Sequence, residues 1–129
     1  MLLFDLQETM KKRIDENEEI TWPVYDYVPE NKAVKYIILG DVKARPFNTK
    51  TSEGKQITAT VDLWAENRGM LDIKKVAFLI ERELASDLES GEYDFEYHET
   101  ELEEVKRETP ELVHGRIQLV YRVEIEEEV

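Results

Sequence analysis

Between Lys55 and Ala85 the periodicity of the chain changes once, and that change limits the folds open to the rest of it. Ile57, Ala59, Val61 and Leu63 alternate with Thr58, Thr60, Asp62 and Trp64, the two-residue period of a strand with one face in a core. Glu66-Asn67-Arg68-Gly69 follows, rich in residues that tolerate left-handed backbone angles, and reads as a turn. Met70, Ile73, Val76, Ala77, Ile80 and Leu84 then recur at three and four, which predicts a helix running to about Asp87 with one apolar stripe. A strand needs cover and a helix needs a floor. A helix crossing the apolar face of a sheet, with this strand inside the sheet, satisfies both.

The remaining segments extend that layer. Leu3, Leu6, Met10 and Ile14, with Leu2 beside them, share one helical face, while Asp5 and Glu8 lie early and Lys11, Lys12 and Arg13 late, as the helix dipole favours. Trp22 to Pro29 is aromatic and held extended by its prolines, so it reads as a short edge strand. Pro29-Glu30-Asn31-Lys32 reads as a turn. Tyr36 to Leu39, continued by Val42 and Ala44, is a strand buried on both faces in its first half, with Gly40 marking a bulge.

After Ser90-Gly91, Tyr93, Phe95 and Tyr97 alternate with acids, and Glu99 to Glu104 reads as an extended continuation between strand patterns. Thr109-Pro110-Glu111 is a turn. Ile117, Leu119, Tyr121, Val123 and Ile125 form the most regular alternation in the chain, which ends in Glu126-Glu127-Glu128. The expectation is a single α+β domain over 1–129. In it a small, mostly antiparallel sheet is packed by two helices on one face, in the order α-β-β-β-α-β-β.

Two features are left over as candidate contact surfaces. Arg45 to Gly54 lacks a period and reads as a long hairpin loop. With Lys43 and Lys55 beside it, this segment holds Lys43, Arg45, Lys50 and Lys55 against the one acid Glu53. That reverses the sign of the whole chain, and Phe47 adds an apolar side chain to a loop placed for docking. Leu71, Phe78 and Ala85 are spaced by sevens opposite the core stripe. Helix one packing on that line within the subunit is one explanation. A subunit contact is the other.

Composition excludes several classes. Thirty acidic and 17 basic residues give a formal charge of −13, which repels phosphate backbones and anionic lipid, so neither specific nucleic-acid binding nor membrane attachment is expected. No apolar run reaches the roughly 20 residues that span a bilayer, which points to synthesis in the cytoplasm. There is no cysteine, hence no thiolate chemistry, and two separated histidines make no zinc-type cluster. His98 on a polar strand side and His114 near a turn read as surface residues. No triad, phosphate loop or calcium loop is present, so no catalytic residue, cofactor site or metal site is assigned.

Val24-Tyr25-Asp26-Tyr27-Val28-Pro29, Tyr36-Ile37-Ile38-Leu39-Gly40-Asp41, Val61-Asp62-Leu63-Trp64 and the helix from Ile73, in that order and spacing, resemble the tail completion, or tail-to-head joining, proteins of long-tailed bacteriophages and prophages. The resemblance runs from helix one to the strand after His114-Gly115-Arg116. Lys35 departs from it, standing where many members carry proline. The resemblance implies a virion structural and assembly protein and no enzyme. It further implies a chain that is monomeric or weakly associated in solution and forms a hexameric ring at the head-proximal end of the tail. There it would meet the major tail tube protein and the head connector, or stopper. Genome DNA would pass through such a ring, whose acids would keep phosphates from adhering. The alternative is a soluble acidic binding module or chaperone that recognises a basic partner.

Overall fold

The computed structural model describes residues 1–28, 35–66 and 70–125. Eight elements follow in chain order: α1 (Leu2–Glu16), β1 (Val24–Tyr25), β2 (Lys35–Pro46), β3 (Glu53–Glu66), α2 (Met70–Leu84), β4 (Leu88–Glu89), β5 (Asp94–Thr109) and β6 (Leu112–Ile125). The strands form one sheet in the order β1-β2-β3-β6-β5-β4.

The change of period predicts the centre correctly. β3 lies inside the sheet, and its odd-numbered residues Ile57 to Ala65 are buried with Val113, Ile117, Leu119, Tyr121 and Val123 of β6. Onto this face α2 lays Ile73, Val76, Ala77, Ile80 and Leu84, and α1 lays Leu6, Met10 and Ile14. Each of the larger of these side chains contributes on the order of 1.5–3 kcal/mol on burial. Helix packs directly on sheet at Gly115, where an added Cβ would stand 3.4 Å from Ile73 Cδ1. A larger residue there would lift α2 from its floor.

Several expectations need correction. The class is α+β, but the sheet is mixed because β1 runs parallel to β2, with Val24 opposite Ile37 and Tyr25 opposite Ile38. The direction is set by how the chain arrives from α1, since two residues carry no pattern of their own. The element order also gains β4, which pairs antiparallel with the start of β5 through Leu88–Phe95 and Glu89–Asp94. It is too short to show a period. α2 ends at Leu84 rather than near Asp87. Leu3 is exposed while Leu2 is partly buried, because α1 turns the face centred on Leu6, Met10 and Ile14 inward.

β2 runs on through Pro46 and β3 starts at Glu53, so the hairpin connection is 47–52 and shorter than expected. The Glu-rich segment 99–104 is strand, with register shifts at Tyr97/Glu99 and Thr100/Leu102. The bulge expected at Gly40 falls in the shift between Leu39 and Val42. The expected turns at Pro29–Lys32 and Glu66–Gly69, and the terminal acids, lie wholly or partly outside the described residues.

Candidate assembly surfaces

The outer face of α2 carries two uncovered apolar side chains among charged ones. Leu71 is 80% exposed and Phe78 is 55% exposed, so α1 does not lie on this line. It meets α2 near the helix end instead, where Arg13 reaches Glu83 at 3.4 Å and Ser86 at 3.2 Å. The Arg82 guanidinium lies over the Phe78 ring, 5.6 Å from its centroid. The start of α2 is tied to β2, since Lys35 Nζ donates to Asp72 Oδ2 at 2.6 Å. That bond holds the Asp72 carboxyl below its ordinary range, helped by the Lys35 charge.

The basic hairpin is built as a defined object. Phe47 N donates to Gly54 O at 2.9 Å, and Thr49 N to Ser52 O at 2.9 Å, closing the tip. Phe47 lies under Arg122 of β6, with the guanidinium carbon 4.1 Å from the ring centroid. That contact gives Phe47 a structural task and leaves it half-buried, while Lys43, Arg45 and Lys50 are exposed. Lys43 and Arg45 stand on β2 itself, and Lys50 alone lies at the tip. Lys43, Arg45 and Lys50 thus lie towards the hairpin end of β2, whereas the start of α2 lies at the other end of that strand, where Lys35 meets Asp72.

The face of the sheet opposite the helices carries a third arrangement, one that sequence reasoning missed. Trp64 and His114 are cross-strand partners, stacked with ring centroids 3.9 Å apart and planes 3° from parallel. His114 Nε2 is 2.7 Å from Asp62 Oδ1, and Nδ1 is 3.0 Å from Glu108 Oε1. Carboxylate oxygens only accept, so both contacts are made when both ring nitrogens carry protons.

Arg116 Nε donates to the same Asp62 oxygen at 2.9 Å, and this bond, with the Asp62 charge, pushes the guanidinium further above its ordinary value. The Glu108 carboxyl is held below the usual range, chiefly by its hydrogen bond with His114. His114 is 7% exposed, not the surface residue its place near a turn suggested. Its partners are separated by 52 positions and 6 positions. A signal was available: Asp62, Trp64, His114 and Arg116 all fall on the polar phase of two well-alternating strands. Their mutual register was not.

Further along this face, Gln118 donates to Thr60 at 3.3 Å and Arg122 to Gln56 at 3.1 Å. The arrangement is a polar cross-strand ladder whose groups satisfy one another. Among the described residues no group of three His, Asp or Glu side chains is placed to hold a metal ion, and no helix is long and apolar enough to cross a membrane. A buried histidine held by acids, without a neighbouring nucleophile or a cleft, organises a sheet and does not by itself make a catalytic centre.

The family model of tail completion protein gp17 matches residues 18–123, which takes in α2, β1 to β5 and β6 as far as Val123. The chain belongs to the tail completion protein gp17 family. Members of that family are structural parts of a virion, and this chain is accordingly a virion structural and assembly protein and not an enzyme. A chain in a solved structure described as the virion of a native gene transfer agent particle has the same fold, with a TM-score of 0.80 and 20% identity. The match covers 93% of this chain and 95% of that one. No curated protein sequence matches the chain.

Proposed function

We propose that this tail completion protein caps the head-proximal end of a tail tube and joins it to the head connector. In this reading it is made in the host cytoplasm, is monomeric or weakly associated there, and closes into a ring, a hexamer, on the tube. The observation that carries the reading is the family match over 18–123. The open surfaces support it: a piece seated between two others needs separate contact areas. The molecule offers the exposed Leu71 and Phe78 on the outer face of α2, and the basic hairpin end at Lys43, Arg45, Phe47 and Lys50. Partners are the tube protein, the connector and further copies of the chain. The strongly acidic remainder disfavours adhesion of passing DNA to the ring.

Negative-stain microscopy of particles made with and without the protein tests the assignment. Its omission is expected to leave heads and tails as separate objects. Normally joined particles in its absence would remove the joining role. Changing Lys43, Arg45 and Lys50 together to Glu is expected to spare folding, since all three are exposed, and to abolish joining. An unchanged yield of infectious particles would take the hairpin out of the contact.

A further inference from the structure

The sheet is open on both long sides. β1 covers β2 only at Ile37 and Ile38, and Gln7 takes the Gly40 carbonyl at 2.9 Å. β4 covers β5 only at Asp94 and Phe95, and Asp87 accepts from the Tyr97 N–H at 2.8 Å. Beyond those points, among the described residues, no strand lies outside 41–46 on one edge or outside 98–104 on the other. An edge strand presents unpaired donors and acceptors, a template for another strand.

The two edges carry opposite charge. Within the open stretches β2 bears Lys43 and Arg45 beside the single acid Asp41, and β5 bears Glu99, Glu101, Glu103 and Glu104. Two β5 edges repel each other, whereas the net positive stretch of β2 attracts β5. The registers strengthen the match. Lys43, Thr58, Val120 and Glu99 occupy one row across the sheet, and Arg45, Gln56, Arg122 and Glu96 another. A second copy brought alongside in the same orientation therefore sets its Glu99 near Lys43, the row that lies within the open stretch of both edges. Direction agrees as well. Each step from β2 through β3 and β6 to β5 is antiparallel, so three reversals leave β5 of the next copy antiparallel to β2.

We propose that copies of this chain join head to tail through these edges, β2 of one adding β5 of the next as a further antiparallel strand. The contact is heterologous, the type that closes into a ring when the rotation per copy allows. The bulges at Leu39/Val42, Tyr97/Glu99 and Thr100/Leu102 twist both edges and confine pairing to a short stretch. A short pairing is weak between free copies and is completed on an assembled particle. This deepens the ring reading above and rests on it for closure alone.

Carbodiimide coupling, which joins an amine to a carboxylate in direct contact, tests the pairing. Within one chain Lys43 and Glu99 are three strand spacings apart, about 14 Å, so a link between them is intermolecular. Purified particles, and the free protein at millimolar concentration from equal light and heavy isotope pools, are treated and digested. The expected product joins Lys43 to an acid within Glu96–Glu104, with mixed-isotope pairs in the free protein. R45E, which keeps the reacting Lys43 amine, is expected to lower its yield at least tenfold, and mixing K43E/R45E with E99K/E104K is expected to give coupling between the same two edges with the roles of amine and acid exchanged.

Links confined to other surfaces, or no change on charge reversal, would overturn the proposal. Particles that contain the protein without coupled edges would refute the edge pairing and leave the virion role standing. Particles that form joined and infectious without the protein would refute the joining role instead, and the free-protein coupling would then decide the edge pairing alone.

Discussion

The Tyr121 hydroxyl donates to the Leu84 carbonyl at 2.7 Å, tying β6 to the last turn of α2. Helix ends leave carbonyls without partners inside the helix, and this one is satisfied by a side chain that is itself fully buried. Burial, with Tyr97 nearby, pushes the phenol far above its ordinary pKa, so it remains a donor. Tyr121→Phe keeps the ring and removes the bond. The expected loss is about 1–3 kcal/mol, the cost of a buried acceptor left unsatisfied. A lower urea midpoint at unchanged m-value would record it.

The hairpin depends on a missing side chain. A Cβ on Gly54 would lie 2.5 Å from the Val123 carbonyl oxygen and 3.0 Å from that of Phe47. Both are backbone atoms and cannot swing away. Gly54→Ala is expected to cost about 1–3 kcal/mol, as overpacking does, and to loosen the Phe47–Gly54 bond. Faster amide exchange at Phe47, with the α2 amides little changed, would check it.

Phe78 and Leu71 stand outside the core, so charge there has little folding cost. Phe78→Asp is expected to change stability by less than about 0.5 kcal/mol, as for ordinary surface positions, and to stop tail-to-head joining. Circular dichroism measures the first and microscopy of particles the second. Unfolding of the variant would return Phe78 to the core and refute this reading of α2.

The carboxyl of Glu108 is lowered in the folded chain by its bond with His114. A lowered acid contributes stability above its unfolded value, and that contribution disappears as pH falls through the folded value. Stability should therefore decline below the ordinary glutamate range. Glu108→Gln should flatten that part of the profile and leave the neutral plateau less stable than the parent. Thermal melts at a series of acidic pH values would measure both. An identical acid limb in the variant would contradict the assignment.

Much of the fold was legible locally. The alternation of Ile57 to Leu63 and of Ile117 to Ile125, and the stripe from Ile73 to Leu84, are periodic over many residues, and burial follows the period. β1 and β4 escaped because two residues have no period. The direction of β1 and the insertion of β4 were decided by neighbours already in place. Leu71 and Phe78 could be grouped by spacing, but whether α1 or solvent met them depended on where α1 packs.

His114 shows the same division at a single residue. Which face of its strand it occupies follows from alternation, and alternation is written in the chain. That it lies against Trp64, between Asp62 and Glu108, follows from the register of β3 on β6 and of β5 on β6. Register is chosen by the packing of whole strands against two helices, because sliding by one residue would turn every buried side chain of a strand out of the core. The chain alone determined the periods, the charge and the family. Only the tertiary structure decided which polar groups meet, and which edges and faces are left for other molecules.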